Sequence, residues 1–387
     1  MEELVHISLD DDVDVVTVGV LMIVGLLAPY SVPFVIGAVS EGLGLDVQRA
    51  GMLGTVEILG LAVSAMYCAR LVSRYPMRRV AVLAIVATVF AQLASALSNS
   101  FEGLLVFRTL VGISQGVLLA LVNILIARSR APDVLYGRVL CLASIGYTLM
   151  LISLPYALKF NEQEGLFLAL AAMSMLGVIW ANKLPTLSLH QLAQEKVDTY
   201  SVPVSAVVIF FAVVTLLYIV LGGVWAFAER VAVQINIDRS LVGVLLGMST
   251  LAGAVGAWSA AYIADRGGRA LPTFLGFTGA GLSVLIICLA SSTALYSVGI
   301  LAYGYIYMFG ITFVLGIAAA MDSQGRLAAV CNGYLLIPYA LGPAVFGYIG
   351  IANLVQVGWA SLIICLVTAV LILSVIRSLE HSIRPIL

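Results

Sequence analysis

Two acidic residues and one basic residue interrupt apolar stretches of the chain and are the first candidates for chemistry. Glu57 and Arg108 lie well inside two such stretches, and Glu229 closes a third. A carboxyl group costs about 2.5 to 3.5 kcal/mol to place in a bilayer, so it normally faces a cavity or a partner. Protonation lowers this cost, which allows the group to bind and release protons as water reaches it from alternate sides. We therefore predict that Glu57 and Glu229 couple protons to function.

Both acids also have a plainer interpretation. Glu57 could form a buried structural ion pair with Arg108, whose guanidinium stays charged and whose planar fork fits a carboxylate. Glu229 follows Tyr218 and Trp225 on one helical stripe. This pattern also fits an interfacial tryptophan beside a solvated Glu–Arg pair, which for Glu229 is slightly the stronger interpretation.

The composition requires a bilayer around these residues. Of the 387 residues, 62% are apolar and 10% are charged, and the mean hydropathy is +1.12. A soluble domain is about 45 to 50% apolar and about 25% charged, so this chain cannot cover a water-facing surface. With a net charge of −1, the chain lacks the basic excess of a nucleic-acid-binding protein, so nucleic acid is excluded as a partner. The five cysteines lie in or beside apolar runs and are interpreted as packing residues.

The runs between charges predict the membrane topology. A span needs about 20 apolar residues, and the chain offers twelve such segments, two pairs of which are joined within the uncharged runs 270–321 and 327–376. With the N-terminus in the cytoplasm, 14 of the 19 Lys and Arg residues fall on the inner side. We therefore predict an all-α, multi-pass protein of the cell membrane with both termini in the cytoplasm.

The two halves of the chain carry similar loop residues at matching positions. Ser73 and Asp265 occupy matching loop positions 192 residues apart, and Asp133 and Asp322 match at a spacing of 189 residues. Such an offset, close to half the chain, predicts two repeats. We expect twelve transmembrane helices in two pseudo-symmetric six-helix bundles: residues 1–185, a cytoplasmic linker 186–203, and residues 204–387.

Two segments make the resemblance to a known family specific. Residues 261–269 read A-Y-I-A-D-R-G-G-R, which resembles the G-x-x-x-D-R-x-G-R loop signature of the major facilitator superfamily with Ala261 for its first glycine. Residues 108–116, R-T-L-V-G-I-S-Q-G, resemble the fourth-helix motif of that superfamily. The similarity covers essentially the whole chain and is closest to the twelve-helix drug:proton antiporter-like group, which implies proton-driven efflux.

The resemblance implies roles for further residues. Arg108 is expected to face a central cavity and contact substrate, with Gln115 on the same helical face. Aromatic and amide side chains on the spans that line the cavity in this superfamily are further substrate-binding candidates, namely Tyr30, Phe34, Asn123, Tyr147, Trp225, Tyr303, Tyr307 and Asn332. Loop residues are expected to latch the cytoplasmic side shut, namely Arg74, Asp133, Asp265, Arg266 and Asp322.

The sequence departs from the antiporter-like group in two places. The first loop has Ser73 and Pro76 where the signature has aspartate and glycine. Span five lacks the G-x-x-x-G-P-x-x-G-G pattern of antiporters, and a fragment similar to it lies instead in span eleven at Gly342–Gly347. These departures leave the direction of transport open.

Together these features predict a secondary transporter for a small organic solute that is amphipathic or anionic, with protons and lipid as its other partners. An uncoupled facilitator with a structural Glu57–Arg108 pair is the alternative within transport. A membrane-embedded enzyme is disfavoured, because no lysine follows a glycine as a phosphate loop requires and the three histidines lie outside the spans. We expect a monomer that needs no metal or other cofactor.

Overall fold

The computed structural model describes residues 14–67, 75–127, 129, 132–184, 204–264, 268–321, 330–331, 333–349 and 354–383. Within these ranges the chain is helical and contains no strand. The helices are α1 Val15–Gly25, α2 Leu27–Gly42, α3 Val47–Tyr67, α4 Met77–Ala96, α5 Phe101–Ala127, α6 Pro132–Leu158, α7 Glu162–Ala181, α8 Val204–Gln234, α9 Arg239–Ala264, α10 Ala270–Cys288, α11 Thr293–Met321, α12 Leu336–Ile349 and α13 Leu354–Ile383.

These helices confirm the predicted all-helical membrane fold. In the described ranges, eleven helical segments are long and apolar enough to cross a bilayer, with α1 and α2 together forming the first. The shorter apolar helix α12 lies where the eleventh span was predicted. Helices are favoured because hydrocarbon offers no hydrogen-bond partner for a backbone N–H or C=O. Each spanning segment must therefore form its backbone hydrogen bonds within itself. Large side chains such as Leu83, Phe90 and Leu371 remain exposed, as expected for a surface covered by lipid.

The helices associate as two groups of six spans. In the first half of the chain α3 packs on α5, and α4 packs on α5 and α7; in the second half α9 packs on α11, and α10 packs on α11 and α13. In the described ranges the most extensive contacts between the halves are those of α3 with α12, α6 with α9, and α2 with α8. These pairs form most of the interface between the N-terminal and C-terminal bundles. The predicted linker 186–203 lies outside the described residues, so the domain boundaries stay predictions.

The first span is broken between α1 and α2. Leu26 leaves the helical conformation at φ −120° and ψ 18°, and Pro29 has no N–H to donate to the preceding turn. The side chain of Gln115 replaces a lost backbone bond, because its Oε1 accepts from the Ala28 N–H at 3.0 Å. The break is therefore held by a neighbouring helix.

The first span begins with a capped helix. Asp14 caps α1 by accepting from the Thr17 N–H, and this hydrogen bond lowers the pKa of Asp14.

Glycines allow α3 and α5 to pack with their backbones in contact. A Cβ atom on Gly112 would overlap the carbonyl oxygen of Glu57, and one on Gly116 would overlap Ser64 and the carbonyl of Leu61. The sequence favoured the Glu57 stripe of α3, which includes Ser64, as a cavity wall. That interpretation is wrong for the part of the stripe that faces α5. There the small residues Gly112 and Gly116, four positions apart on α5, allow α3 and α5 to pack closely.

We predict that Gly112→Ala destabilises the folded protein by about 1 to 3 kcal/mol, because the added methyl group must push α3 and α5 apart. Thermal unfolding of the purified protein would measure the effect. Gly137→Ala is the matched control, since a Cβ atom there has no described neighbour within 4 Å outside its own stretch of helix. Equal melting temperatures for the two variants would show that the close contact is unimportant.

Candidate functional site

Seven aromatic side chains form a continuous cluster at the interface between the two bundles. The rings of Tyr30 and Tyr147 stack with centroids 3.8 Å apart, and Tyr30 meets the edge of Trp225 at 6.5 Å. Trp225 stacks on Tyr303 at 5.9 Å, and Tyr303 stacks on Tyr307 at 6.2 Å. Tyr307 also contacts two further tyrosines at 6.1 Å each. We call these residues the aromatic cluster: Tyr30, Tyr147, Tyr218, Trp225, Tyr303, Tyr307 and Tyr339.

Backbone carbonyls hold several of these rings in place. Pro33 has no N–H, so the carbonyl of Pro29 loses its helical partner and accepts instead from Trp225 Nε1 at 2.8 Å. Tyr147 donates to the Met22 carbonyl at 2.9 Å, beside the break in the first span. Because Trp225 belongs to α8 and Pro29 to α2, this hydrogen bond crosses the interface between the bundles.

The aromatic cluster borders open space. A small cavity lies between α8, α10 and α11, and the rings of Tyr218 and Tyr307 form part of its wall. The small residues Gly276, Ala280 and Gly310 also line it, together with larger apolar side chains, namely Leu217, Leu221, Phe277, Ile306 and Ile311. Tyr30 and Tyr307 also keep part of their surface accessible although they lie well inside their helices. The cluster therefore borders a small cavity inside the C-terminal bundle.

The structure thus brings together five of the predicted substrate-binding residues: Tyr30, Tyr147, Trp225, Tyr303 and Tyr307. The other candidates lie elsewhere. Phe34 is fully buried in the hydrophobic core, and Gln115 is buried beside the helix break. Asn123 is exposed towards the end of α5, and Asn332 lies outside the described residues. Sequence reasoning did not select Tyr339, because its place beside the other rings depends on how the helices pack.

Glu57 and Arg108 form a buried ion pair inside the N-terminal bundle. Arg108 Nη1 lies 3.1 Å from Glu57 Oε1, and Arg108 Nη2 donates to Gln92 and to Ser95 on α4, each at 2.7 Å. The guanidinium also lies over the ring of Phe167 on α7, 4.3 Å from its centroid. Both charged residues are 0% exposed.

This arrangement differs from the expected position of Arg108 in the central cavity. Its partners belong to α4 and α7, and the main contacts of α4 are with α5 and α7 of its own bundle. The guanidinium is therefore directed into the N-terminal bundle instead of towards the C-terminal one. Glu57 Oε2 is buried and accepts no hydrogen bond from the described residues. The proposed contact of Arg108 with substrate stays a prediction.

Glu229 belongs to a second group of charges, which joins the two bundles near one membrane face. Arg230 Nε lies 2.8 Å from Glu229, and Arg230 also pairs with Glu41. Arg239 lies 3.1 Å from Glu229 and 3.4 Å from Glu162, and it pairs with Glu41 as well. We call these five residues the ionic cluster, and the face on which they lie the outer face, after the predicted orientation.

The ionic cluster crosses the interface and excludes water from Glu229. Glu41 is on α2 and Glu162 is on α7, whereas the other three residues are on α8 and α9. The side chain of Glu229 is only 1% exposed. It packs against Gly37 of α2, where a Cβ atom would lie 2.6 Å from Oε2. The interpretation of Glu229 as part of a solvated surface pair is therefore wrong.

Further hydrogen bonds close the outer half of the interface. Thr148 Oγ1 of α6 lies 3.0 Å from the Gly247 carbonyl and 2.7 Å from Thr250 Oγ1 of α9. The Ala344 N–H of α12 donates to Thr55 Oγ1 of α3 at 3.0 Å. The ionic cluster lies near the outer ends of its helices, whereas these hydrogen bonds and the Trp225–Pro29 bond lie deeper, towards the middle of the membrane. The outer face is thus shut in this structure.

The predicted cytoplasmic latch lies beyond what the structure describes. Arg74, Asp265, Arg266 and Asp322 are outside the described residues, and Asp133 lies in α6 without a described side chain. Sequence reasoning did not select Glu41, Glu162 and Arg239 for a role. Their positions at span ends are typical of ordinary surface charges, and only the packing of the two bundles brings them together.

Comparisons with known proteins agree with this architecture. The sequence profile of the Major Facilitator Superfamily matches residues 17–343. The nucleoside transporter NupG is similar with a TM-score of 0.71 and 12% identity, covering 95% of this chain and 99% of its own. A bacterial homologue of the human lysosomal transporter Spinster, in an inward-facing and unoccupied conformation, is similar with a TM-score of 0.73 and 13% identity, covering 95% and 97%.

A transporter of the POT family in complex with 5-aminolevulinic acid is similar with a TM-score of 0.72 and 14% identity, covering 93% of this chain and 96% of its own. The search of curated proteins found no match. At these identities the solved structures show the shared fold alone. The resemblance to the drug:proton antiporter-like group stays a prediction.

We predict that Arg108→Leu lowers the free energy of unfolding by about 3 to 5 kcal/mol, because it leaves Glu57 charged and buried without a partner. The double variant Glu57→Leu/Arg108→Leu should lose less, since no unpaired charge remains. Thermal unfolding of the purified variants would measure both effects. A double variant that is less stable than Arg108→Leu alone would contradict the buried ion pair.

We predict that Arg239→Gln weakens closure of the outer face, because within the ionic cluster Arg230 is then left to pair with all three carboxylates. A cysteine at the buried position 148, introduced as Thr148→Cys after the five native cysteines are replaced, should react faster with a membrane-impermeant maleimide. Arg49→Gln is the matched control, because Arg49 pairs with Asp46 on the same face and both side chains are mostly exposed. Equal labelling in the two variants would contradict a role for the ionic cluster in closure.

Proposed function

The chain belongs to the Major Facilitator Superfamily, and we propose that it is a proton-coupled secondary transporter that moves a small amphipathic organic solute by alternating access. The family supports membrane transport and indicates a multi-pass transporter rather than an enzyme. The observation that carries the finer proposal is the aromatic cluster at the bundle interface. Location in the cell membrane and cytoplasmic termini remain expectations from the charge distribution.

The aromatic cluster is proposed as the substrate site because both bundles contribute to it. Tyr30 and Tyr147 come from the N-terminal bundle, and the other five rings come from the C-terminal bundle. A solute bound among these rings contacts both bundles, so its binding energy depends on how the bundles are arranged. Aromatic rings bury large apolar areas, and Tyr and Trp add a polar group, which suits an amphipathic solute.

In alternating access, the contacts that close one face of the protein must be able to break and be replaced by contacts with water. The ionic cluster lies on the outer side of the aromatic cluster and consists of charge pairs between polar side chains. Such pairs can separate and hydrate when the bundles rock apart, because water then solvates the freed charges. The hydrogen bonds of Thr148 and Thr55 across the same interface are also exchangeable with water. We propose that these contacts form the outer gate.

Glu229 is the better placed of the two predicted coupling acids. The ionic cluster holds three carboxylates and two guanidiniums, and Glu229 is its most buried acid, since its side chain is 1% exposed and those of Glu41 and Glu162 are 31% and 37% exposed. A proton taken up from the outer side would neutralise the carboxylate that has no guanidinium of its own and favour closure. Tyr296 is the other titratable side chain close to Glu229, and its hydroxyl donates to the Ala228 carbonyl at 2.9 Å. Proton uptake would thus accompany the movement of the bundles.

Glu57 is less suited to this role than the sequence suggested. Its carboxylate is paired with Arg108, which contacts α4 and α7 of the same bundle, and neither group reaches the interface. A rigid-body movement of the bundles leaves that pair unchanged. This burial favours the structural interpretation of the pair and supports one further candidate function, an uncoupled facilitator.

The proposed substrate is amphipathic, and the anionic alternative loses its main argument. That alternative rested on Arg108 as the fixed positive charge of the cavity. In the structure the guanidinium is occupied by Glu57, Gln92, Ser95 and Phe167. It is therefore not free to hold a carboxylate of the substrate in this state.

Transport in proteoliposomes would test the coupling. Compounds that raise the melting temperature of the purified protein serve as candidate substrates. Their transport should acidify or alkalinise vesicles loaded with a pH-sensitive dye. We predict that Glu229→Gln abolishes this proton movement but retains exchange of labelled for unlabelled substrate, because the acid is needed only for coupling.

Glu57→Gln is the matched comparison, because it also neutralises a buried acid within a span. It should keep proton movement per substrate unchanged once the amount of folded protein is equalised. Proton movement that stops in Glu57→Gln but persists in Glu229→Gln would reverse the assignment. Wild-type transport without any proton movement would establish the uncoupled facilitator.

A further inference from the structure

We infer that the break between α1 and α2 forms a polar part of the substrate site, which binds an uncharged group of the solute that both accepts and donates hydrogen bonds, such as a carboxamide. This inference rests on the proposed function, because it takes the bundle interface as the place where the solute binds. It follows from a hydrogen-bond donor and a hydrogen-bond acceptor that lie together at the break.

The side-chain amide of Gln115 supplies the donor. Its Oε1 accepts from the Ala28 N–H at 3.0 Å, which holds the amide beside the break. Its Nε2 is buried and has no hydrogen-bond partner among the described residues, and the residue as a whole is 0% exposed. An unpaired amide nitrogen is costly to bury, and this one carries two N–H groups that a ligand can use.

A backbone carbonyl of α1 supplies the acceptor. In a continuous helix the Gly25 carbonyl would accept from the N–H four residues later, but that residue is Pro29, which has no N–H. Gly25 packs on the segment that carries the donor, since a Cβ atom there would lie 3.6 Å from the Gln115 carbonyl oxygen. The break therefore offers a ligand a donor and an acceptor side by side.

The second half of the chain shows that the fold does not require this break. By the 192-residue offset between the halves, α8 corresponds to α1 and α2 together, and it runs without interruption from Val204 to Gln234. Leu221 stands there in place of Pro29, and Tyr307 stands in place of Gln115. Because buried polar groups without partners are costly, we attribute the break in the first half to ligand binding.

The break lies just beneath the interface between the bundles. A small apolar cluster beside Gln115 contains Leu61 and Leu119, and Leu336 of α12 packs against it. Leu336 belongs to the C-terminal bundle and stays partly exposed. When the bundles move apart, Leu336 moves with its own bundle and uncovers the break. The solute then places its polar group at the break and its apolar part towards the aromatic cluster beside it.

A donor next to an acceptor selects against charged groups. A carboxylate accepts from the Gln115 amide but is repelled by the lone pairs of the Gly25 carbonyl, and an ammonium group has the opposite mismatch. In either case one buried polar group stays unpaired, which lowers the affinity by about tenfold or more. A carboxamide pairs with both groups, because its oxygen accepts and its N–H donates.

Isothermal titration calorimetry with the purified full-length protein would test the inference. The probes share one aromatic ring and differ in their other end: phenylacetamide, the anion phenylacetate, the cation phenethylammonium and the apolar propylbenzene. We expect phenylacetamide to bind at least about tenfold more tightly than any of the others. Equal or tighter binding of another probe would overturn the inference, as would a complete lack of binding by the amide.

Variants of Gln115 test the assigned donor. Gln115→Glu keeps an oxygen for the Ala28 N–H but loses the amide N–H groups, and Gln115→Met loses both, so each should weaken binding of phenylacetamide by about tenfold. Gln92→Glu is the matched control, because Gln92 is also a buried amide of this bundle, and its Oε1 accepts from Arg108 at 2.7 Å. It should stay within about threefold of wild type.

Melting temperatures would show that each variant is folded. Amide binding that both Gln115 variants leave unchanged would contradict the assigned site. If the Gln115 variants weaken all four probes alike, the break contributes to binding but the preference for an uncharged polar group is wrong.

The proposed function and this inference fail in different ways. If solutes are transported into proteoliposomes and the Gln115 variants bind them like wild type, the transport function stands and the polar part of the site is wrong. If phenylacetamide binds as expected but no compound that stabilises the protein is transported, the break is a binding site and the proposed function is wrong. Maleimide labelling at position 148 tests bundle movement without any ligand, so its result is independent of both.

Discussion

A charged or polar group in hydrocarbon must find a partner inside the protein, and this constraint organises the whole molecule. Arg108 satisfies it with Glu57, Gln92, Ser95 and a ring within one bundle. The ionic cluster satisfies it between the two bundles. In the transport cycle proposed above, the first group stays intact and the second separates when the outer face opens. The same physical requirement is therefore met within one bundle in one place and between the two bundles in another.

Proline and glycine adapt the helices to this arrangement. Pro29 and Pro33 remove backbone donors from the first span. At the break the Ala28 N–H donates to Gln115 of the same bundle, and the Pro29 carbonyl accepts from Trp225 of the other bundle. Gly112 brings α3 against α5, and Gly37 gives the Glu229 carboxylate space beside α2. Local irregularities of the helices thus determine where the bundles are fixed and where they meet, and the aromatic cluster lies beside the proline-induced break.

The sequence by itself determined the helical membrane fold. The length of an apolar run and its lack of charge are local properties, and they decide whether a segment is stable in a bilayer without regard to its tertiary contacts. It also identified Glu57, Arg108 and Glu229 as residues that need partners, and most of the aromatic cluster. Only the tertiary structure decided which partners they have. The direction of Arg108, the pairing of Glu229 with Arg239, and the assembly of Glu41 and Glu162 with them depend on helix rotation and on contacts between residues up to about two hundred positions apart. Helical periodicity places a residue on a face of its own helix, but the packing of all the helices decides what that face meets.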